Sequence, residues 1–201
     1  MIRFIPSIEN INHYQTGDLP DDSIKLKSPP TEQIMMKAGP IAVVLCLIMS
    51  GTMFGKVFVS QKICISPPFI IVGFLIGFIL LIVHEWLHAV VYPRPANVII
   101  GKLKKSITFV ALASYPLKRG RFVLMSLLPF VLGIIPLSAF IISSPENTIF
   151  NAIMFGMACM GMVSPFPDVY NVYLVMRQTT KGDSVMFYQD DMYRIKAEKN
   201  R

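Results

Sequence analysis

Apolar residues along this chain collect in long blocks rather than recurring with the short periodicity of a water-soluble fold. Four blocks approach the ~20 residues that cross a ~30 Å hydrocarbon core. They fall at about 40 to 60, 67 to 92, 122 to 143 and 147 to 176. The pattern predicts an all-α integral membrane bundle of about four transmembrane helices. The expected domains are an N-terminal segment, 1 to 39, a four-span membrane domain, 40 to 177, and a polar tail, 178 to 201. The tail ends in "RIKAEKNR" and reads as a small or partly disordered extension. Between the second and third spans, "NVIIGKLKKSITFVALASY" has a β-branched stretch and a Gly/Lys turn region. Ile107, Phe109, Ala111 and Ala113 then alternate with Ser106, Thr108 and Leu112. This predicts a small β-hairpin or sheet within the connection 94 to 121, although a basic amphipathic loop lying on anionic lipid has the same composition. No internal repeats are found.

Composition agrees with a multi-pass membrane protein: 53% of residues are hydrophobic and only 15% charged, too apolar for a soluble domain of 201 residues. The excess of 19 Lys and Arg over 12 Asp and Glu lies mostly between and beside the apolar blocks. It therefore reads as membrane topology and not as a nucleic-acid surface. Arg94, Lys102, Lys104, Lys105, Lys118, Arg119 and Arg121 crowd the connection after the second span, whereas the loop near 144 to 147 has Glu146 and no cation. The positive-inside tendency then puts that connection and both termini in the cytoplasm, with Lys56 and Lys62 as mild exceptions. Lys56 interrupts the first span, where its ammonium can extend to the interface. Gly51 and Gly55 in the same span have a spacing suited to close helix contact. Cys46, Cys64 and Cys159 form no C-x-x-C and suggest no disulfide framework. The first 40 residues are polar, so no cleaved secretory leader is expected.

The second span contains "LLIVHEWLHAVV", with His84, Glu85 and His88 inside an otherwise apolar run. Residues four apart share a helix face, so His84 and His88 can turn imidazole nitrogens toward one metal ion while Glu85 projects beside them. This is the H-E-x-x-H arrangement of zinc metalloproteases, in which the glutamate is general base to a water on the metal. Only three histidines occur in the chain, and His13 in the polar N-terminal region reads as a surface residue. Ionisable groups at such depth are costly and normally face the bundle interior, and Gly73 and Gly77 on the same face would let another helix approach. A hydrogen-bonded polar cluster without metal is the competing reading. The 13 methionines show no cluster with Cys or His that would suggest copper.

A catalytic zinc site needs a third protein ligand, and Asp168 is the only acid in the fourth span. Pro165 and Pro167 precede it, and broken helix at that depth is tolerated where it lines a cavity or is buried in protein. His84 lies nine positions before Pro93 and Asp168 nine before Arg177. Both therefore fall ~13 Å from the end of their span by helical rise. Asp168 could instead cap the helix restarting after Pro167. Asn171 could orient a ligand, bind a substrate backbone, or make a helix-to-helix hydrogen bond.

The segments "HEWLHAVVYPRP", "YPLKRGRFVLMSLLPF" and "SPFPDVYNVYLV" resemble a bacterial zincin peptidase family of short multi-pass membrane proteins. The chain is also similar to intramembrane zinc metalloproteases of the site-2 protease type. The resemblance implies Zn2+ held by His84, His88 and Asp168, with Glu85 as base. The typical aspartate-glycine pair is here Asp168-Val169. It also implies substrates that are membrane or membrane-adjacent proteins or peptides, received as an added strand on the 97 to 113 hairpin. The alternative from another class is a non-catalytic membrane protein whose metal or polar cluster is structural, ion-handling or sensing.

Overall fold

The structure, a computed structural model, describes residues 1–104 and 109–197. Lys105, Ser106, Ile107 and Thr108, part of the alternating run, lie outside the described residues. In chain order the elements begin with β1 (Ile2–Ile8), β2 (Ile24–Lys25), α1 (Thr31–Ser60), α2 (Pro67–Ile79) and α3 (Leu81–Val90). Next come β3 (Val98–Leu103), β4 (Phe109–Leu112), β5 (Leu117–Lys118), α4 (Arg119–Leu127) and α5 (Val131–Ile142). The chain finishes with α6 (Thr148–Val163), α7 (Phe166–Gln178), β6 (Ser184–Tyr188) and β7 (Asp191–Ile195).

Four stretches are long and apolar enough to cross a membrane: Gln33–Ser60, Pro67–Val90, Arg119–Ile142 and Thr148–Gln178. The protein is thus a multi-pass membrane protein, with a small sheet between its second and third membrane helices. Three of the four spans are interrupted. The second is interrupted by a turn residue at Leu80, the third passes through a one-turn 3-10 helix at Leu128–Phe130, and the fourth breaks at Ser164 and Pro165. Pro129 and Pro165 have no N–H, which removes a backbone bond at each of the last two sites.

The chain divides into two compact units. One comprises Ala38–His84 and Pro129–Phe166. Here α6 packs against both α2 and α5, and Met49, Cys64, Phe140, Ala152, Phe155 and Ala158 form the buried core. Close approach depends on glycine pairs. A Cβ built on Gly73 of α2 would lie 2.3 Å from the Ile153 carbonyl oxygen and 3.0 Å from Gly156 Cα. One on Gly133 of α5 would lie 2.4 Å from the Met162 nitrogen. The backbones touch where any side chain would separate them.

Two features of α1 differ from expectation. Gly51 and Gly55 have no atom within 4 Å of a built Cβ, so their spacing serves no helix contact among the described residues. Lys56 turns inward. Its Nζ donates to the Phe140 carbonyl, to Ser143 O at 2.9 Å, to Ser143 Oγ at 3.0 Å and to Asn151 Oδ1 at 3.2 Å. The last carbonyls of a helix have no intrahelical partner and attract a cation, which explains why the end of α5 captures the ammonium.

The other unit comprises Met1–Lys37, Glu85–Leu128 and Pro167–Arg201. Its first sheet has the order β1-β3-β4. β1 runs parallel to β3 with Ile2 opposite Val98, and β4 is antiparallel to β3 with Leu112 opposite Ile99. The second sheet, β2-β7-β6-β5, is antiparallel throughout. The tail therefore folds into a β6–β7 hairpin as far as it is described. Val185, Met186 and Met192 are buried within it, and those few apolar positions are what its overall polarity obscured. Asp183, 2% exposed, anchors the approach to β6 by accepting from Thr180 N at 2.5 Å and Thr180 Oγ1 at 2.9 Å, and it forms an ion pair with Arg194 Nε at 2.7 Å.

Candidate metal centre

The site begins with α3, whose sequence LIVHEWLHAV puts its polar groups on one face. His84 and His88 are 6% and 7% exposed, while Trp86 on another face is 46% exposed. His84, Glu85 and His88 each offer one ligand atom, and these atoms all lie within 4.8 Å of one another. The i, i+4 repeat produces this directly, because the helix stacks residues 84 and 88 one turn apart.

The orientation of His88 comes from α4. Its Nδ1 lies 2.8 Å from the Met125 carbonyl oxygen. A carbonyl only accepts, so the proton sits on Nδ1 and leaves Nε2 as the basic nitrogen. The Met125 carbonyl is available because the residue four positions on, where a helical N–H would be, is Pro129. Sequence reasoning missed this partner, although the Met125–Pro129 spacing was its signal. It also missed a further role for Arg121, whose Nε donates to the Val91 carbonyl at 2.6 Å and holds the end of α3. Beside it, burial raises the Tyr92 phenol well above its ordinary pKa, so that group stays neutral and packs with the apolar core.

Asp168 stands in the first turn of α7, where exposed backbone N–H groups favour a carboxylate. Its Oδ2 is 3.6 Å from His88 Nε2, with the side chains 21% and 9% exposed. That gap is too long for a hydrogen bond. It is close to the roughly 3.3 Å that separates two ligand atoms held ~2 Å from one tetrahedral ion. The residues present therefore fit a metal by their chemistry: two buried imidazoles, that of His88 with its tautomer fixed by Met125, a carboxylate facing His88, and a second carboxylate alongside. Asn171 lies one turn beyond Asp168, and its Oδ1 is buried with no hydrogen-bond partner among the described residues. That oxygen does not make the helix-to-helix bond considered from the sequence.

Residues 77–182, more than half of the chain, match the family described as "Putative zincin peptidase", and the chain belongs to that family. The match spans α3, the sheet insertion, α4 and α7. No curated protein and no solved structure matches significantly.

Proposed function

We propose that this chain is a zinc-dependent intramembrane endopeptidase, similar in its working parts to the site-2 protease type. It hydrolyses peptide bonds of membrane or membrane-adjacent proteins. His84, His88 and Asp168 would hold the ion. Zn2+ bound there supplies a Lewis acid that polarises the scissile carbonyl and makes a water more acidic. Glu85 accepts a proton as that water attacks, then delivers it to the leaving amine as the C–N bond breaks. Asn171, with an unmatched buried oxygen, can accept a backbone N–H of the substrate. Among the described residues β4 is an edge strand of its sheet, which suits it to receive an added substrate strand. The lysine and arginine distribution supports cytoplasmic termini and a cytoplasmic 94 to 121 segment, with the polar segments 1 to 39 and 178 to 201 on that side.

The observation that carries this reading is the pairing at His88, with Nδ1 bound to the Met125 carbonyl and Nε2 facing Asp168. Histidine ligands of zinc are oriented in this way by a second hydrogen bond. The test compares wild type with Glu85→Gln in cells, together with the zinc content of both purified proteins. The expected result is one zinc per chain in each, and an uncleaved membrane protein that accumulates only in the variant. Equal processing by both proteins excludes Glu85 as base and leaves the non-catalytic metal scaffold.

A further inference from the structure

Within the unit formed by Ala38–His84 and Pro129–Phe166, the last turns of α1 and α5 frame a recess of about 400 Å³. Thr52, Gly55, Lys56, Ile141, Ser143 and Pro145 line it. The volume falls within the range of ~300 to 1,000 Å³ common to small-molecule sites. Its charged group is the half-buried Lys56 ammonium, which also lies 4.5 Å from the centre of the Phe140 ring.

Every partner of that ammonium is neutral: two carbonyls, the Ser143 hydroxyl and the amide of Asn151, which is 0% exposed. No carboxylate pairs with Lys56 among the described residues, and Glu146 in the adjoining loop is held by Lys62 at 2.8 Å. Neutral dipoles fix the position of the charge without cancelling it. A cation near the end of a membrane span calls for a counter-ion. Four acceptors surround three N–H donors, so an incoming anion need displace only the longest bond, that to Asn151 Oδ1 at 3.2 Å. Gly55 leaves the recess open, and the exposed Ile141 gives its wall an apolar face suited to hydrocarbon.

We infer that this recess binds the phosphate-bearing headgroup of an anionic phospholipid, with Lys56 as its counter-charge. A phospholipid uses both parts of the recess, phosphate on the ammonium and hydrocarbon along the Ile141 wall. Free phosphate uses only the first. The site is separate from the residues assigned to peptide hydrolysis and stands whether or not the chain is a peptidase.

The test uses the full chain in detergent, supplied with phosphatidylglycerol or phosphatidylcholine, and counts retained lipid by native mass spectrometry. Wild type should retain one phosphatidylglycerol in preference to phosphatidylcholine, by about the tenfold expected of one charge-assisted contact. Lys56→Gln should abolish the preference. That variant also loosens the end of α5, so Gly55→Leu serves as the second: its side chain enters open space and leaves the bonds of Lys56 intact. It too should lose the retained lipid while keeping the wild-type melting temperature. Equal retention of both lipids, undiminished retention in a folded Gly55→Leu, or displacement by soluble glycerol phosphate at equal concentration each overturns the proposal.

Discussion

A proline sets the tautomer of a histidine here. Pro129 offers no N–H to Met125, so the Met125 carbonyl accepts from His88 Nδ1 at 2.8 Å and Nε2 faces Asp168. Pro129→Ala restores a competing N–H without touching a proposed ligand. It should weaken zinc binding about 10- to 100-fold, the usual cost of losing a ligand's outer hydrogen bond, measured by chelator competition. Asp183 tests the second sheet by another route. Burial by itself would raise its carboxyl, but hydrogen bonds from Thr180 and Arg194 hold it below the usual carboxylate range. A depressed folded pKa stabilises fully above the unfolded value of about 4, and the stabilisation is lost as pH falls through the folded value. Asp183→Asn should therefore cost ~1 to 3 kcal/mol at pH 7, with the gap between the melting curves closing only in strong acid. The H-E-x-x-H spacing was legible because it needs one helix and nothing else. The Met125 contact was not, since it joins residues 37 positions apart.

Glycines of similar sequence appearance do opposite things at the level of the elements. Gly73 meets the backbone of α6, whereas Gly51 meets nothing. Gly73→Leu should push α2 from α6 and destabilise by roughly 3 kcal/mol or more. Gly51→Ala should be neutral or slightly stabilising, by up to ~1 kcal/mol from helix propensity. Thermal melts of the two variants in one detergent check both. Small-xxx-small spacing marks residues able to permit contact, and only a partner at the right height makes them do so. The same distinction separates the strands. β3 and β4 announced themselves through β-branched residues and alternation, but β1 and the β6–β7 hairpin were hidden in polar segments. Their partners are remote: β1 pairs with β3, and β6 pairs with β5 at Leu117–Lys118.

For the whole molecule, zinc binding to the native state alone would make stability depend on metal. Stripping it with a chelator should lower the melting temperature, and saturating zinc should restore it by the linkage RT ln(1 + [L]/Kd), about 4 kcal/mol at a thousandfold excess over Kd. Glu85→Gln should show the same chelator response as wild type, because the proposed ligands remain. His88→Ala should show none. The sequence alone determined that the chain crosses a membrane and that His84, Glu85 and His88 share one helix face, because span length and the i, i+4 repeat are local properties of the backbone. Only the tertiary structure decided which carbonyl holds His88, that Asp168 stands 3.6 Å from it, that Lys56 turns inward to the end of α5, and which glycines join helices. Those outcomes depend on close approach between residues far apart in the chain, a quantity that local pattern does not contain.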